Sequence, residues 1–344
     1  MHIVPERAGP ANPLAGSPTR PFGSARRTTS IDTSRPDGLD QESVVDARAR
    51  DLVTGPSGDA AHHNDQSFRA RIGPDRSLIA IESDPPEPRL TQLLGLFVGP
   101  GFRAKMAETL PDHVASQSFL YALLDDLPGD TLVSGYAVQR GEPTPSAIAR
   151  RASPTFENHV KASEDMCAGW ASDATIMVAF REKGSIPAPL GPPAPRLERE
   201  SDSLSWHTMA PLPRESTRRR RRLDLTPISD ASEHSVFDSH FRDSYRDVQG
   251  EETVIHEYVV TGSLDETMTH LGEVQTEARV LPWIECPAAV GSSVWMSKKP
   301  LAELRVQVRT EFVGTSTCTH LNDTFRFLSD LIPLHDLVNL QARS

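Results

Sequence analysis

The sequence predicts an α+β fold: two homologous strand-rich units, each followed by two helices, formed by internal duplication and joined by a proline-rich linker. Three observations predict it. Short segments alternating apolar and polar residues are bounded by Pro/Gly/Asp turns, as in Val44–Leu52 before Gly55-Pro56-Ser57-Gly58-Asp59. Apolar residues then recur at helical spacing, as Phe102, Met106 and Leu110. The first pattern also returns: Val236-Phe237-Asp238-Ser239-His240-Phe241-Arg242-Asp243 repeats the apolar positions and the closing Arg-Asp of Val44–Asp51 at a constant offset (238 − 46 = 192).

Residues 1–24 carry Pro5, Pro10, Pro13, Pro18 and Pro21, which interrupt regular structure and predict a disordered tail. The first unit, 25–139, opens with Arg26–Asp32 and turns at Pro36-Asp37-Gly38. A strand over Val44–Leu52 and a hairpin of Phe68–Ile72 with Ser77–Ile81 about Gly73-Pro74-Asp75 follow. Gly99-Pro100-Gly101 closes the apolar Leu90–Val98 stretch. Two helices come next, one through Phe102 and Met106, the other over Phe119–Leu127. Residues 140–217 read as an irregular insert with short apolar pieces at Met166–Trp170 and Ala174–Phe180, then a polyproline-type linker over Ile186–Pro195. The second unit, 218–344, repeats the pattern: Thr253–Val260 alternates as a strand, Leu301–Leu304 leads into a helix, and Thr319–Leu331 parallels Ser118–Leu127. The run Arg218–Arg222 is expected as a solvated stretch ahead of a strand. Asp46, Asp51, Asp238 and Asp243 are expected as ion-pair partners of Arg50 and Arg242.

The formal net charge is -11, which argues against a nucleic-acid partner gripped over the whole surface. Three cysteines, an odd number, with no secretory apolar run argue against a disulfide framework and for a reducing, cytoplasmic compartment. No stretch has the length and apolarity of a membrane span, so a soluble protein without a membrane partner is expected. Nucleotide fingerprints are absent, and the oligomeric state is left open.

The reactive residues gather in Gly314–Asp323, where Cys318 and His320 stand at a helix start. With His256 and Cys286 they supply imidazole and thiolate donors suited to zinc. The register that overlays Leu321 on Leu120 (321 − 120 = 201) sets Cys318 on Gln117 and His320 on Phe119. Asn64 or His63 falls where the second unit has His256, and Glu82–Leu93 holds no cysteine. The first unit therefore reads as a degenerate copy. Three chemistries stay open. In one, a metal at His256, Cys286, Cys318 and His320 drives hydrolysis or lyase chemistry on a small organic molecule, with Glu285 transferring the proton. In another, Cys318 is a metal-free nucleophile activated at the helix start, with His256 or His320 as base and Glu285 as a further acid or base. In the third, these residues are packing groups in a non-catalytic binding or assembly module. Trp283 is expected near the site, and Cys167 as structural.

These segments resemble the bacterial domain-of-unknown-function family 2889. The carriers are Asp37-Gly38-Leu39, Ile255-His256-Glu257-Tyr258, Pro282-Trp283-Ile284-Glu285-Cys286 and Thr317-Cys318-Thr319-His320-Leu321. Glu257, Tyr258, Trp283 and Thr317 depart from the Asp, Met, Tyr and Gly of simpler members. The duplicated length resembles actinobacterial members. The resemblance implies the fold unit and the choice of His256, Cys286, Cys318 and His320, and no reaction.

Overall fold

Eight antiparallel strands form one sheet in the order β4-β3-β2-β1-β5-β6-β7-β8. They are β1 Ser24–Ser34, β2 Ser43–Thr54, β3 Ala60–Ile72, β4 Leu78–Asp84, β5 Ser216–Thr226, β6 Val236–Arg246, β7 Glu252–Leu264 and β8 Leu271–Val280. The computed structural model describes residues 9–141, 154–228 and 234–343. From the central β1–β5 pair the sheet runs outward through four strands in sequence order on either side. The two strand sets are thus not separate bodies on a linker, because β1 and β5 pair from Ala25↔Leu225 to Thr33↔Thr217.

The helices are α1 Phe102–Thr109, α2 Pro111–Ala115, α3 Phe119–Arg140, α4 Pro154–Ala162, α5 Thr175–Lys183, α6 Leu304–Glu311, α7 Thr319–Phe327 and α8 Leu331–Arg343. Helix α3 continues through Pro128 well past the expected end at Leu127. Its start is fixed by Ser118, whose hydroxyl accepts from the Tyr121 N–H. One apolar cluster joins Val45, Phe68 and Phe102 to Leu120 and Leu124. A second joins Phe241, Tyr258 and Trp283 to Leu321 and Phe325.

Arg218–Arg222 is the middle of β5, and all five residues are buried, none more than 7% exposed. This corrects the expectation of a solvated run. Because side chains alternate across a strand, the five divide between the two faces and find acids on both. Arg219 and Arg221 meet Asp126 of α3 on the helix face. On the other face Arg218 pairs with Asp32, Arg220 with Glu198, and Arg222 with Asp224 and Asp238. The expected partners change for the same reason. Asp243 pairs with Arg219 and Asp51 with Arg27 on the helix face. Arg242, one residue from Asp243, points the other way to Glu257, and Arg50 donates to the Leu204 carbonyl.

Of the segment expected as a disordered tail, residues 9–24 are ordered, and residues 1–8 lie outside the described residues. Its prolines forbid helix yet allow an extended run, which docks by main-chain bonds: Leu281 N–H to Pro10 O, and Ser17 N–H to Leu197 O. The proline-rich stretch likewise lies along the open edge of β7, where Val254 N–H donates to Pro192 O. Burying such irregular backbone strands its carbonyls, and arginine forks satisfy them. Arg26 reaches Pro18 O and Ser205 O, and Arg242 reaches Leu14 O and Pro195 O. Among the described residues no helix is long and apolar enough to cross a membrane.

Candidate metal centre

Arg219, Asp243 and His256 form one row across three neighbouring strands, since Arg219↔Asp243 and Asp243↔His256 are register partners. The row lies on the helix face, beside the first turn of α7. Arg219 holds the Asp243 carboxylate with two bonds, Nε to Oδ1 at 2.9 Å and Nη2 to Oδ2 at 3.0 Å. Its Nη1 donates to Asp126 at 2.8 Å and Asp323 at 3.2 Å. A β-bulge between Asp243 and Ser244 sets the register that brings His256, and not a neighbour, opposite Asp243.

His320, from α7, stacks on His256 with ring centroids 3.9 Å apart and an interplanar angle of 28°. Both Nδ1 atoms face the same carboxylate oxygen: His256 Nδ1 lies 3.5 Å and His320 Nδ1 3.7 Å from Asp243 Oδ2. Asp243, His256 and His320 each offer a ligand atom, and these atoms all lie within 4.8 Å of one another, so the group could hold a metal ion. Burial pushes the Asp243 carboxyl up, but Arg219 and the two histidines outweigh it and keep it ionised well below the usual range. Burial first, then His256 and the guanidinia of Arg219 and Arg221, hold His320 far below its ordinary value despite Asp243, leaving a neutral imidazole. Arg219 Nη2 also lies 3.3 Å from His320 Nδ1, which places a fixed cation at the rim.

Cys286 and Cys318 lie apart from this convergence, in the apolar cluster with Tyr258. Cys318 is the N-cap of α7, and the Tyr258 hydroxyl, with the N–H groups of Leu321 and His320, favours its thiolate. Burial is the larger influence and raises the thiol above its ordinary value, against the expected activation at the helix start. Burial likewise raises Cys286, and Cys167 to about 12. Glu285 accepts from Thr175 N at 2.9 Å and Thr175 Oγ1 at 2.7 Å, tying down the start of α5. Trp283 packs in the same cluster as Cys286.

A parallel row occupies β1–β3. Arg27↔Asp51 and Asp51↔Asn64 are register partners, again with a bulge just after the aspartate. Asn64 therefore takes the place of His256, and the ring of Phe119 lies under the Arg27 guanidinium, 4.3 Å to the centroid. Arg27 also reaches Asp330, as Arg219 reaches Asp126.

Residues 217–332 match the family model described as Protein of unknown function (DUF2889). The matched segment starts in β5 and ends in α8, so it contains Arg219, Asp243, His256, Cys286, Cys318 and His320, while β1–β4 and α3 lie outside it. The DUF2889 match supports the family for that segment and carries no activity. No curated protein and no solved structure matches the chain.

Sequence reasoning places neither Asp243 nor Arg219 in the site. The signal that could have found them is their separation, 24 residues in both rows (243 − 219 = 24; 51 − 27 = 24).

Proposed function

We propose that Asp243, His256 and His320 bind a divalent ion, zinc or one of similar preference, and that the site catalyses hydrolysis or lyase chemistry on a small organic molecule. The observation that carries this reading is the convergence of two stacked imidazoles and an ionised carboxylate within 4.8 Å. Two nitrogen donors and one oxygen donor suit a borderline ion and leave positions for water or substrate. An ion bound there supplies Lewis acidity toward a carbonyl oxygen or water. Arg219 fixes the Asp243 carboxylate, and burial keeps His320 unprotonated as a donor. In this reading Asp243 takes the place of the two thiolates, and Cys286 and Cys318 form the apolar wall beside the centre.

We also infer that β1–β4 with α1–α3 is a degenerate copy of β5–β8 with α6–α8, in the manner of the longer family members. The mirrored strand order and the two matched rows support it. The active copy is the second.

Elemental analysis of untagged protein tests the metal. About one ion per chain, lost in both His256→Asn and His320→Phe, is expected; those replacements are the residues in the first row, Asn64 and Phe119, so the fold should tolerate them. A metal-free parent after chelator-free purification would sink the proposal. The close approach of Arg219 to His320 favours a second reading, a metal-free charge network that fastens α7 to the sheet in a non-catalytic module. That reading requires His256→Asn to lower stability without changing metal content.

A further inference from the structure

On the face of the sheet away from the helices, a groove of about 600 Å³ lies over β2 and β3. Its floor carries Arg48 and Arg50, two residues apart on one face of β2, and its wall is the segment with Leu204 and His207. Every other arginine described on β1, β2 and β5 meets a carboxylate, yet no carboxylate among the described residues pairs with Arg48 or Arg50. Arg50 spends one Nη2 proton on the Leu204 carbonyl, and its Nε is buried without a hydrogen-bond partner among the described residues. Arg48 is exposed into the groove.

Two acids also line the groove without pairing with either arginine. Asp65 stands opposite Arg50 in the β2–β3 register, and its carboxylate lies 3.7 Å from His62. Asp84 lines the far side, in the row Arg48↔Ser67↔Asp84. His207 on the groove wall adds no negative charge, and its ring bonds Ser30 and Thr28. Burial first, then Arg50, Arg218, Arg48 and Arg220, push that ring down to about 3. Burial, with Arg20 and Arg26, also lowers the Arg50 guanidinium.

From this geometry we propose that the groove binds a small anion bearing a carboxylate or phosphate group, held between the guanidinium groups of Arg48 and Arg50. Guanidinium forks match both groups bidentately. The exposed Arg48 fork supplies the donors, with the Arg50 charge beside it, and Ser67 and Gln66 on the groove lining supply neutral ones. The site is independent of the metal centre, which lies on the other face of the sheet.

Calorimetric titration of the full chain with inorganic phosphate, and separately with malonate, at matched ionic strength and with EDTA present, tests this. At least one probe should bind saturably, one per chain, and Arg48→Gln should weaken it at least ten-fold. His256→Asn should leave it unchanged. Arg181→Gln, an exposed charge removed elsewhere, controls for general screening. Whichever of phosphate or malonate binds tighter names the ligand group. Absence of saturable binding to both probes overturns the proposal, as does equal weakening by Arg48→Gln and Arg181→Gln. Binding abolished by His256→Asn would assign the anion to the metal and overturn it as well. Arg48→Gln is the decisive variant because its side chain holds no structural bond, whereas Arg50 anchors Leu204.

Discussion

Arg219 and Asp243 stand opposite each other on β5 and β6, joined by two hydrogen bonds, with each side chain 1% exposed. Arg219 also neutralises Asp126 and Asp323, so it tethers β6, α3 and α7 to the sheet centre at once. Removing one member of such a buried set leaves the others charged without compensation. Arg219→Met should therefore destabilise the protein by about 3–5 kcal/mol in urea unfolding. Arg69→Met, whose ion pair with Asp46 is solvent-exposed, should cost about 0–1 kcal/mol. Equal effects would mean the interior network does not hold the fold.

The two rows predict how a metal centre could be moved. Arg27 and Asp51 already occupy the first row, and Asn64 and Phe119 stand where the second has His256 and His320. If the centre binds metal as proposed, Asn64→His with Phe119→His should raise the metal content from about one to about two ions per chain. Metal content unchanged in a folded double variant would show that the donors alone do not define the site.

Part of this architecture is legible in the sequence. The repeat puts Asn64 or His63 at the place of His256, and the strand register decides for Asn64, opposite Asp51. The polar loop ahead of Leu321 marks Cys318 and His320 as a helix start, and α7 begins there. The arginine run misleads because hydropathy treats five cations as surface, and only the acids of neighbouring strands and α3 make their burial tolerable. Asp243 is hidden for a related reason: its meeting with His256 depends on a bulge, which sequence spacing does not announce.

Asp130 gives a pH dependence. This α3 carboxyl is 1% exposed, accepts from Thr33 on one oxygen, and has no partner for the other among the described residues. Burial, with Asp243 and Asp126, raises it to about 7 against Arg219 and the Thr33 bond. Between its unfolded value and about 7 the folded state holds more protons, so its contribution is present at acid pH and is lost as pH rises through about 7. Asp130→Asn should match the parent near pH 4 and gain on it by about 1 kcal/mol per pH unit up to neutrality. Thermal melts across that range check it; parallel curves would refute the buried-acid account.

Thiol labelling separates the cysteine chemistries. Burial raises all three thiols. Native protein at pH 7.5, roughly a unit below a free thiol's pKa, should react with iodoacetamide far more slowly than a free cysteine, and all three should label in urea. Fast native labelling of Cys318 would restore it as a nucleophile.

Helix α3 packs against the charged centre at Gly129. A Cβ there would lie 2.4 Å from both Arg219 Nη1 and Asp323 Oδ2, and neither can withdraw, since each is bound into the network. Glycine is normally a poor helix residue, and replacing it with alanine gains about 1 kcal/mol in an unconstrained helix. Gly135, in the same helix, has nothing within 4 Å of its virtual Cβ and provides that unconstrained case. Gly135→Ala should thus raise the melting temperature, while Gly129→Ala should lower it, at a net cost of about 1–3 kcal/mol as the clash displaces Arg219. Because Arg219 orients Asp243, Gly129→Ala should also weaken any bound metal, whereas Gly135→Ala should not. If both alanines stabilise, α3 is not held against the sheet as tightly as these distances require, and Arg219 has room to leave the site.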